Sequence, residues 1–189
     1  MKSNILEFWI RKSNRHALEF NSKVMTYSEL SDRINNRITL FQSLGIKAKN
    51  HVAIRIKDPT IYLEIFLALW KMDVTIIPID SQVSIKNITE ILQEADVEFF
   101  ILESRFSKIR NFPFHLASEL AYSDLEFNIF RVSAKQTDHW IEELKLLSDT
   151  GYIILYTSGT SGKGKGVIIR KEAFVNNVTK VIDYTNLTE

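Results

Sequence analysis

The chain has 189 residues, with 24 Lys and Arg against 23 Asp and Glu, a formal net charge of +1 and 45% hydrophobic residues. That balance is typical of a globular protein and excludes a whole-surface electrostatic case for binding nucleic acid or a membrane. The absence of Cys excludes disulfides, thiolate metal sites and Cys nucleophiles, and six Gly with three Pro exclude a collagen-like or low-complexity chain. The length points to one domain or at most two.

The N-terminus carries Glu7 inside a short apolar run and Arg11 and Lys12 directly after it, unlike a signal peptide. No uncharged apolar stretch approaches the length of a membrane-spanning helix. The expectation is a soluble, cytoplasmic protein with no membrane or nucleic-acid partner.

In chain order, residues 17–20 and 23–25 flank Asn21-Ser22, a two-residue hairpin turn. Thr26 to Glu29 then reads as a capping box, with Met25 and Leu30 at the staple positions. Leu30, Ile34, Ile38, Phe41 and Leu44 follow at helical spacing, and Gly45 supplies a left-handed stop.

Beyond it strands and helices alternate. Residues 52–56 read as a strand, and Asp58-Pro59 opens a helix over 60–71 whose only charge before Lys71 is Glu64, so that helix should be buried. Residues 74–79 are a β-branched strand, and 84–95 a helix with Ile85, Ile88, Ile91, Leu92 and Ala95 inward. Residues 97–102 form another strand. This is the pattern of parallel crossovers. From 104 to 148 the signal weakens to a strand at 127–132 and a short helix at 140–147. Residues 152–157 and 167–169 read as strands around a loop at 159–166. A helix over 171–184 follows, with Phe174, Val178, Val181 and Ile182 on one face.

Average usage would place about 13 Gly in a chain this long. Four of the six present, Gly159, Gly162, Gly164 and Gly166, fall within eight residues. Each costs roughly 0.5–1 kcal/mol of backbone entropy relative to Ala, so the loop needs its backbone bare. Bare N–H groups can converge on phosphate oxygens, Thr and Ser add donors, and Lys adds a mobile charge. The expected ligand is a polyphosphate. Gly159, Gly164 and Lys165 satisfy G-x-x-x-x-G-K, but the next residue is Gly166 rather than Ser or Thr, and Val167-Ile168-Ile169 favours a strand over a helix. An NTPase P-loop is therefore rejected. The plain alternative is a surface hairpin tip whose lysines aid solubility.

Residues 156–167, Y-T-S-G-T-S-G-K-G-K-G-V, closely resemble the phosphate-binding signature of the adenylate-forming superfamily of acyl-CoA synthetases, peptide-synthetase adenylation domains and luciferases. Met25-Thr26-Tyr27-Ser28-Glu29-Leu30 resembles the family's early L-T-Y-x-E-L segment, and residues 69–80, ending V-T-I-I-P-I-D, resemble its segment ending V-P-I-D. The resemblance implies activation of a carboxylic acid by Mg·ATP as acyl-AMP, with transfer to a thiol of CoA or a phosphopantetheine carrier. It further implies that Thr157, Ser158, Gly159, Thr160, Ser161 and Gly162 wrap the β- and γ-phosphates. Lys165 would be the catalytic cation that neutralises charge as pyrophosphate departs, and Thr157 a ligand of Mg²⁺.

The sequence departs from the pattern where Gly164 replaces the usual Pro, and where Lys71-Met72-Asp73 replaces the glycine before V-P-I-D. Motifs for adenine, ribose, the hinge and the C-terminal lid are not found. The expected architecture is therefore α/β, with crossover helices on a largely parallel sheet. Residues 1–189 would form an incomplete N-terminal AMP-binding domain without the C-terminal lid, inactive alone and completed by the rest of the enzyme in cis or trans. Such a piece should expose an apolar face and a sheet edge. A noncatalytic nucleotide- or partner-binding module of the same descent is the alternative. His16, His51, His115 and His139 show no metal spacing and read as structural or exposed. Glu142-Glu143 reads as a solvated face. Trp70, Phe99-Phe100 and Phe112-Pro113-Phe114 read as core.

Overall fold

The structure, a computed structural model, describes residues 14–108, 117–132, 151–157 and 165–185. The expected helix at 140–147, His115, His139, Glu142-Glu143 and the 112–114 segment lie outside them.

The first elements form where local chemistry demands them. Strands β1 (His16–Phe20) and β2 (Lys23–Thr26) pair antiparallel across Asn21 and Ser22. Those two residues hold φ of 52° and 61°, the doubly left-handed turn that matches strand twist. Helix α1 (Tyr27–Ser43) starts at the capping box, in which Glu29 N–H donates to Thr26 Oγ1 at 3.2 Å and Thr26 N–H to Glu29 Oε2 at 2.8 Å. It ends in a Schellman motif. Gly45, at φ +83°, donates to Gln42 O, and Ile46 donates to Phe41 O, both at 3.0 Å.

Two further helices begin on side-chain caps. Asp58 caps α2 (Pro59–Lys71), accepting from Thr60 N–H at 2.9 Å with Pro59 in the first turn. Ser84 caps α3 (Ile85–Glu94), accepting from Asn87 N–H at 3.2 Å. They connect β3 (His51–Arg55), β4 (Thr75–Pro78) and β5 (Phe99–Glu103), and β3 pairs parallel with both β4 and β5. Side chains alternate between faces as strand geometry requires. Val52, Ile54, Ile76, Phe99 and Ile101 join a core with α1 and α2, while Ala53, Ile77, Phe100 and Leu102 join a second core with α3.

Glu64, the charge foreseen inside α2, is fully buried and holds Arg33 at 3.0 Å and Arg37 at 3.1 Å across α1, while Arg37 also bonds Glu126. A buried carboxylate is tolerable only with such partners.

The whole sheet runs β6-β7-β5-β3-β4-β8-β9, where β6 is Ala117–Ser123, β7 Phe127–Val132, β8 Tyr152–Thr157 and β9 Lys165–Arg170. The pairs β5–β3, β3–β4 and β4–β8 are parallel, and the outer pairs β6–β7, β7–β5 and β8–β9 are antiparallel. The sheet is thus mixed, with a parallel centre. Strand β6 was absent from the sequence reading because two irregularities, at 117–119 and 120–122, break its period of two. The chain turns into β7 at Asp124, whose Oδ1 accepts from Glu126 and Phe127 N–H at 2.7 and 2.8 Å. Helix α4 (Lys171–Thr185) follows β9 directly. Of its expected inward face, Phe174 packs on Phe66 and Trp70 at 6.1 and 5.3 Å, whereas Val181 is 57% exposed.

Candidate functional site

The four parallel strands end together, and ligands of such sheets collect outside the carboxyl ends. Here that end is stitched by two charged side chains, the partly buried Glu103 and the buried Arg55. The Glu103 carboxylate accepts from Lys57 N–H at 2.6 Å and is also bound by Arg105, tying β5 to the cap of α2. Arg55 Nη2 donates to Ser81 O at 2.8 Å and Val83 O at 3.3 Å, fixing the turn after β4, and its guanidinium lies 4.6 Å from the Phe106 ring centre. Its Nε and Nη1 meet no hydrogen-bond partner among the described residues. Burial pulls the Arg55 pKa down, opposed by Asp80. Neither Arg55 nor Glu103 was singled out from sequence, because a charge at a strand end carries no local sign of what it will meet.

Strand β8 leaves this end beside β4, and β9 returns against it in the register Tyr152↔Arg170 through Thr157↔Lys165. The β9 strand conformation of Lys165–Arg170 agrees with rejecting an NTPase P-loop, which would require a helix there. Thr157 and Lys165 are directly opposite each other and exposed, so their side chains leave the same face of the hairpin. Thr157 Oγ1 donates to Lys165 O at 3.4 Å, a long bond that a better acceptor could take over. Ser158, Gly159, Thr160, Ser161 and Gly162 lie outside the described residues.

Two glycines acquire steric reasons. A Cβ on Gly166 would stand 3.3 Å from both Ile154 Cγ2 and Tyr156 Cζ, so its bareness already serves the packing of the Tyr156 ring. A Cβ on Gly151 would stand 2.2 Å from Val74 O and 2.7 Å from Asp73 O. Gly151 was overlooked in the sequence because a lone glycine before a strand is a common punctuation mark.

The root of the hairpin carries an unforeseen cation. Lys171, 7% exposed, donates Nζ to Trp70 O at 2.6 Å and to Asp73 Oδ1 at 2.9 Å, over the Trp70 ring at 4.9 Å. Burial pulls its pKa below the ordinary lysine range, and the Asp73 carboxylate opposes that shift.

The histidines in the described residues are not gathered. His16 is exposed on β1, and His51 is buried at the start of β3 with Nδ1 2.7 Å from Ala95 O. Phe99 and Phe100 are core, and Trp70 packs against it. Among the described residues no helix is long and apolar enough to cross a membrane.

The sequence profile of a family described as AMP-binding enzyme matches residues 7–189. Tyrocidine synthase 3 of Brevibacillus parabrevis is 29% identical over 164 residues, covering 86% of this chain and 2% of that protein. Nonribosomal peptide synthetase 2 of Gibberella zeae is 30% identical over 168 residues, covering 86% and 3%. Among solved structures, O-succinylbenzoate coenzyme A synthetase (MenE) of Bacillus subtilis, in complex with ATP and magnesium ion, superposes with a TM-score of 0.73 at 16% identity, covering 98% of this chain and 48% of that one. The N-terminal subdomain of Klebsiella oxytoca NpsA, in complex with 3-hydroxyanthranilyl-AMSN, superposes at 0.58 with 24% identity, covering 86% and 38%. At these identities the superpositions establish the fold, that of the N-terminal part of adenylate-forming enzymes. The chain spans less than half of either solved protein and a few per cent of the curated ones.

Proposed function

This chain belongs to the AMP-binding enzyme family, and from that premise we propose that it is the ATP-phosphate-binding N-terminal part of a ligase that activates a carboxylic acid as acyl-AMP. Residues 1–189 are read as an incomplete AMP-binding domain of a cytoplasmic enzyme, working with the remainder of that enzyme in cis or trans. The acyl group passes on to a thiol of CoA or a phosphopantetheine carrier.

The observation that carries the reading is the register of β8 with β9. It sets a hydroxyl and an ammonium on one face at the mouth of a glycine-rich loop, at the carboxyl end of the parallel strands. In the reaction, a carboxylate oxygen bonds to the α-phosphorus, the bond to the bridging oxygen breaks, and pyrophosphate leaves with the electron pair. Negative charge accumulates on the leaving group, and donors that bind it more tightly as the bond stretches lower the barrier. Thr157, Ser158, Gly159, Thr160, Ser161 and Gly162 supply hydroxyl and peptide N–H donors to the β- and γ-phosphates, and Lys165 supplies the charge. Mg²⁺ takes most of its oxygens from phosphate and water, so one exposed hydroxyl, Thr157 Oγ1, fits as a single protein ligand. When bound, that ion shares the neutralisation of the phosphates.

A charge-assisted hydrogen bond contributes about 1.5–3 kcal/mol, which is roughly 10- to 100-fold in affinity. Lys165→Ala should therefore weaken Mg·ATP or pyrophosphate binding by at least tenfold in isothermal titration calorimetry. Unaltered affinity would return the loop to a solubilising surface tip.

A further inference from the structure

Among the described residues the β8–β9 hairpin is buried most deeply at its root, with Tyr156 a second, partly buried contact on the core of α3. Tyr152, Ile153 and Ile154 are buried, but Leu155 is 39% exposed, and no residue of β9 is buried. The register of β8 on β4 is set at Ile76↔Ile153, next to the root. From Tyr152 to Thr157 the strand takes five residue-to-residue steps, roughly 17 Å at about 3.3 Å each. A rotation of only about 3° at the root therefore moves the tip by about 1 Å, and misplacement of that size can cost on the order of 100-fold in a positioned reaction.

Both roots of the hairpin land on three consecutive residues, Asp73, Val74 and Thr75. On the β8 side, Gly151 lies against Val74 O and Asp73 O, and Tyr152 N–H donates to Thr75 Oγ1 at 3.4 Å. On the β9 side, Arg170 is followed at once by Lys171, whose ammonium reaches Asp73 Oδ1 and the last-turn carbonyl of Trp70. Asp73 holds φ +55°, a left-handed conformation in which glycine is cheapest and an acidic residue is tolerated at a cost. Glycine would make that turn more easily but would offer Lys171 no carboxylate.

We infer that Asp73 and Lys171 are positioning residues, a clamp between the end of α2 and the start of α4 that fixes the angle of the β8–β9 hairpin and so the place of Thr157 and Lys165. This role rests on the phosphate-site reading proposed above. Neither residue touches the ligand, and each acts through the hairpin.

The informative variant is Asp73→Gly, because it removes the carboxylate while easing the backbone. In the full chain its thermal midpoint should stay within a few degrees of the wild type, the eased turn offsetting the loss of the carboxylate beside the buried Lys171. Amide hydrogen exchange over residues 165–170 should nevertheless rise about tenfold, with β3 and α2 unchanged, and Mg·ATP affinity should fall three- to tenfold. Lys171→Met should give the same two effects, and the double variant should be no worse than either single one. Asp73→Gly that binds Mg·ATP and exchanges like a binding-competent wild type overturns the clamp alone. A loss of affinity that only follows a lowered midpoint, with exchange raised throughout the molecule, also overturns it. A wild-type chain that binds neither Mg·ATP nor pyrophosphate overturns the phosphate-site reading first, and the positioning role with it.

Discussion

Strands β3 and β9 share the pattern V-x-I-R, in H-V-A-I-R and K-G-V-I-I-R, yet every residue of β3 is buried and none of β9 is. The difference is one of neighbours. β3 has a parallel partner on each edge, α1 and α2 over one face and α3 over the other, whereas β9 pairs with β8 alone among the described residues. Val167 and Ile168 are 47% and 39% exposed there, although their β-branched chemistry is that of β3. Burial, and the stability that follows from it, belongs to a position in the assembly rather than to a segment. Among the described residues the exposed large apolar side chains of this region are Leu155 on β8, Val167 and Ile168 on β9, and Val181 and Tyr184 on α4.

The sharpest way to break this comparison is to make one substitution in both regions. Ile76→Ala, at a fully buried side chain of β4, should cost roughly 2–5 kcal/mol through lost transfer energy and a cavity. Ile168→Ala should cost less than about 1 kcal/mol, since much of its side chain already meets water. Equal losses in urea denaturation would show that β9 is covered as well as β4 is.

The joint between the regions comes next. Gly151→Ala drives a Cβ into the Val74 carbonyl, and backbone on both sides leaves no flexible side chain to yield. Overpacking of this kind costs about 1–3 kcal/mol, and the upper end is expected here. The loss should appear as increased hydrogen exchange in β8 and β9 before β3 is affected. Uniform exchange across the sheet would mean that the two regions unfold as one.

The smallest effect concerns Lys171. Its folded pKa is depressed, so between that value and the ordinary lysine value the unfolded chain binds the proton more tightly. Stability therefore rises with pH through that window and is flat below it, where both states are protonated. Subtracting the pH profile of Lys171→Met from that of the wild type should isolate the rise. Parallel profiles would place Lys171 in water.

Much of the parallel centre was legible because its signals are local. The Thr26–Glu29 box, the Asp58-Pro59 opening and the Gly45 stop are made by hydrogen bonds between residues no more than five apart. The strands between them were marked by β-branched runs, and the structure moves their ends by one or two residues. The hairpin was legible as β8 and β9 for the same reason. Strand β6 was not, because its bulges erase the alternation that a sequence reading depends on.

The rest depended on distance along the chain. Glu98, which accepts from Asn50 Nδ2 at 2.8 Å, lies 48 residues from it, and Lys171 lies 98 residues from Asp73. At the site, the sequence supplied the residue types, two lysines and small hydroxyls among glycines, that suit phosphate. It could not show that Thr157 and Lys165 stand in register, nor that their hairpin is rooted on Asp73, Val74 and Thr75.

By itself, then, the sequence determined the caps, the turn residues, the order of strands and helices and the chemistry of the glycine loop, since each is decided within a few residues by hydrogen bonding and steric freedom. The tertiary structure alone decided which strands are buried and which open, that Gly151 must be bare, and that Asp73 in a left-handed turn meets Lys171. Those outcomes depend on surfaces that come together only when segments far apart in the chain share one sheet.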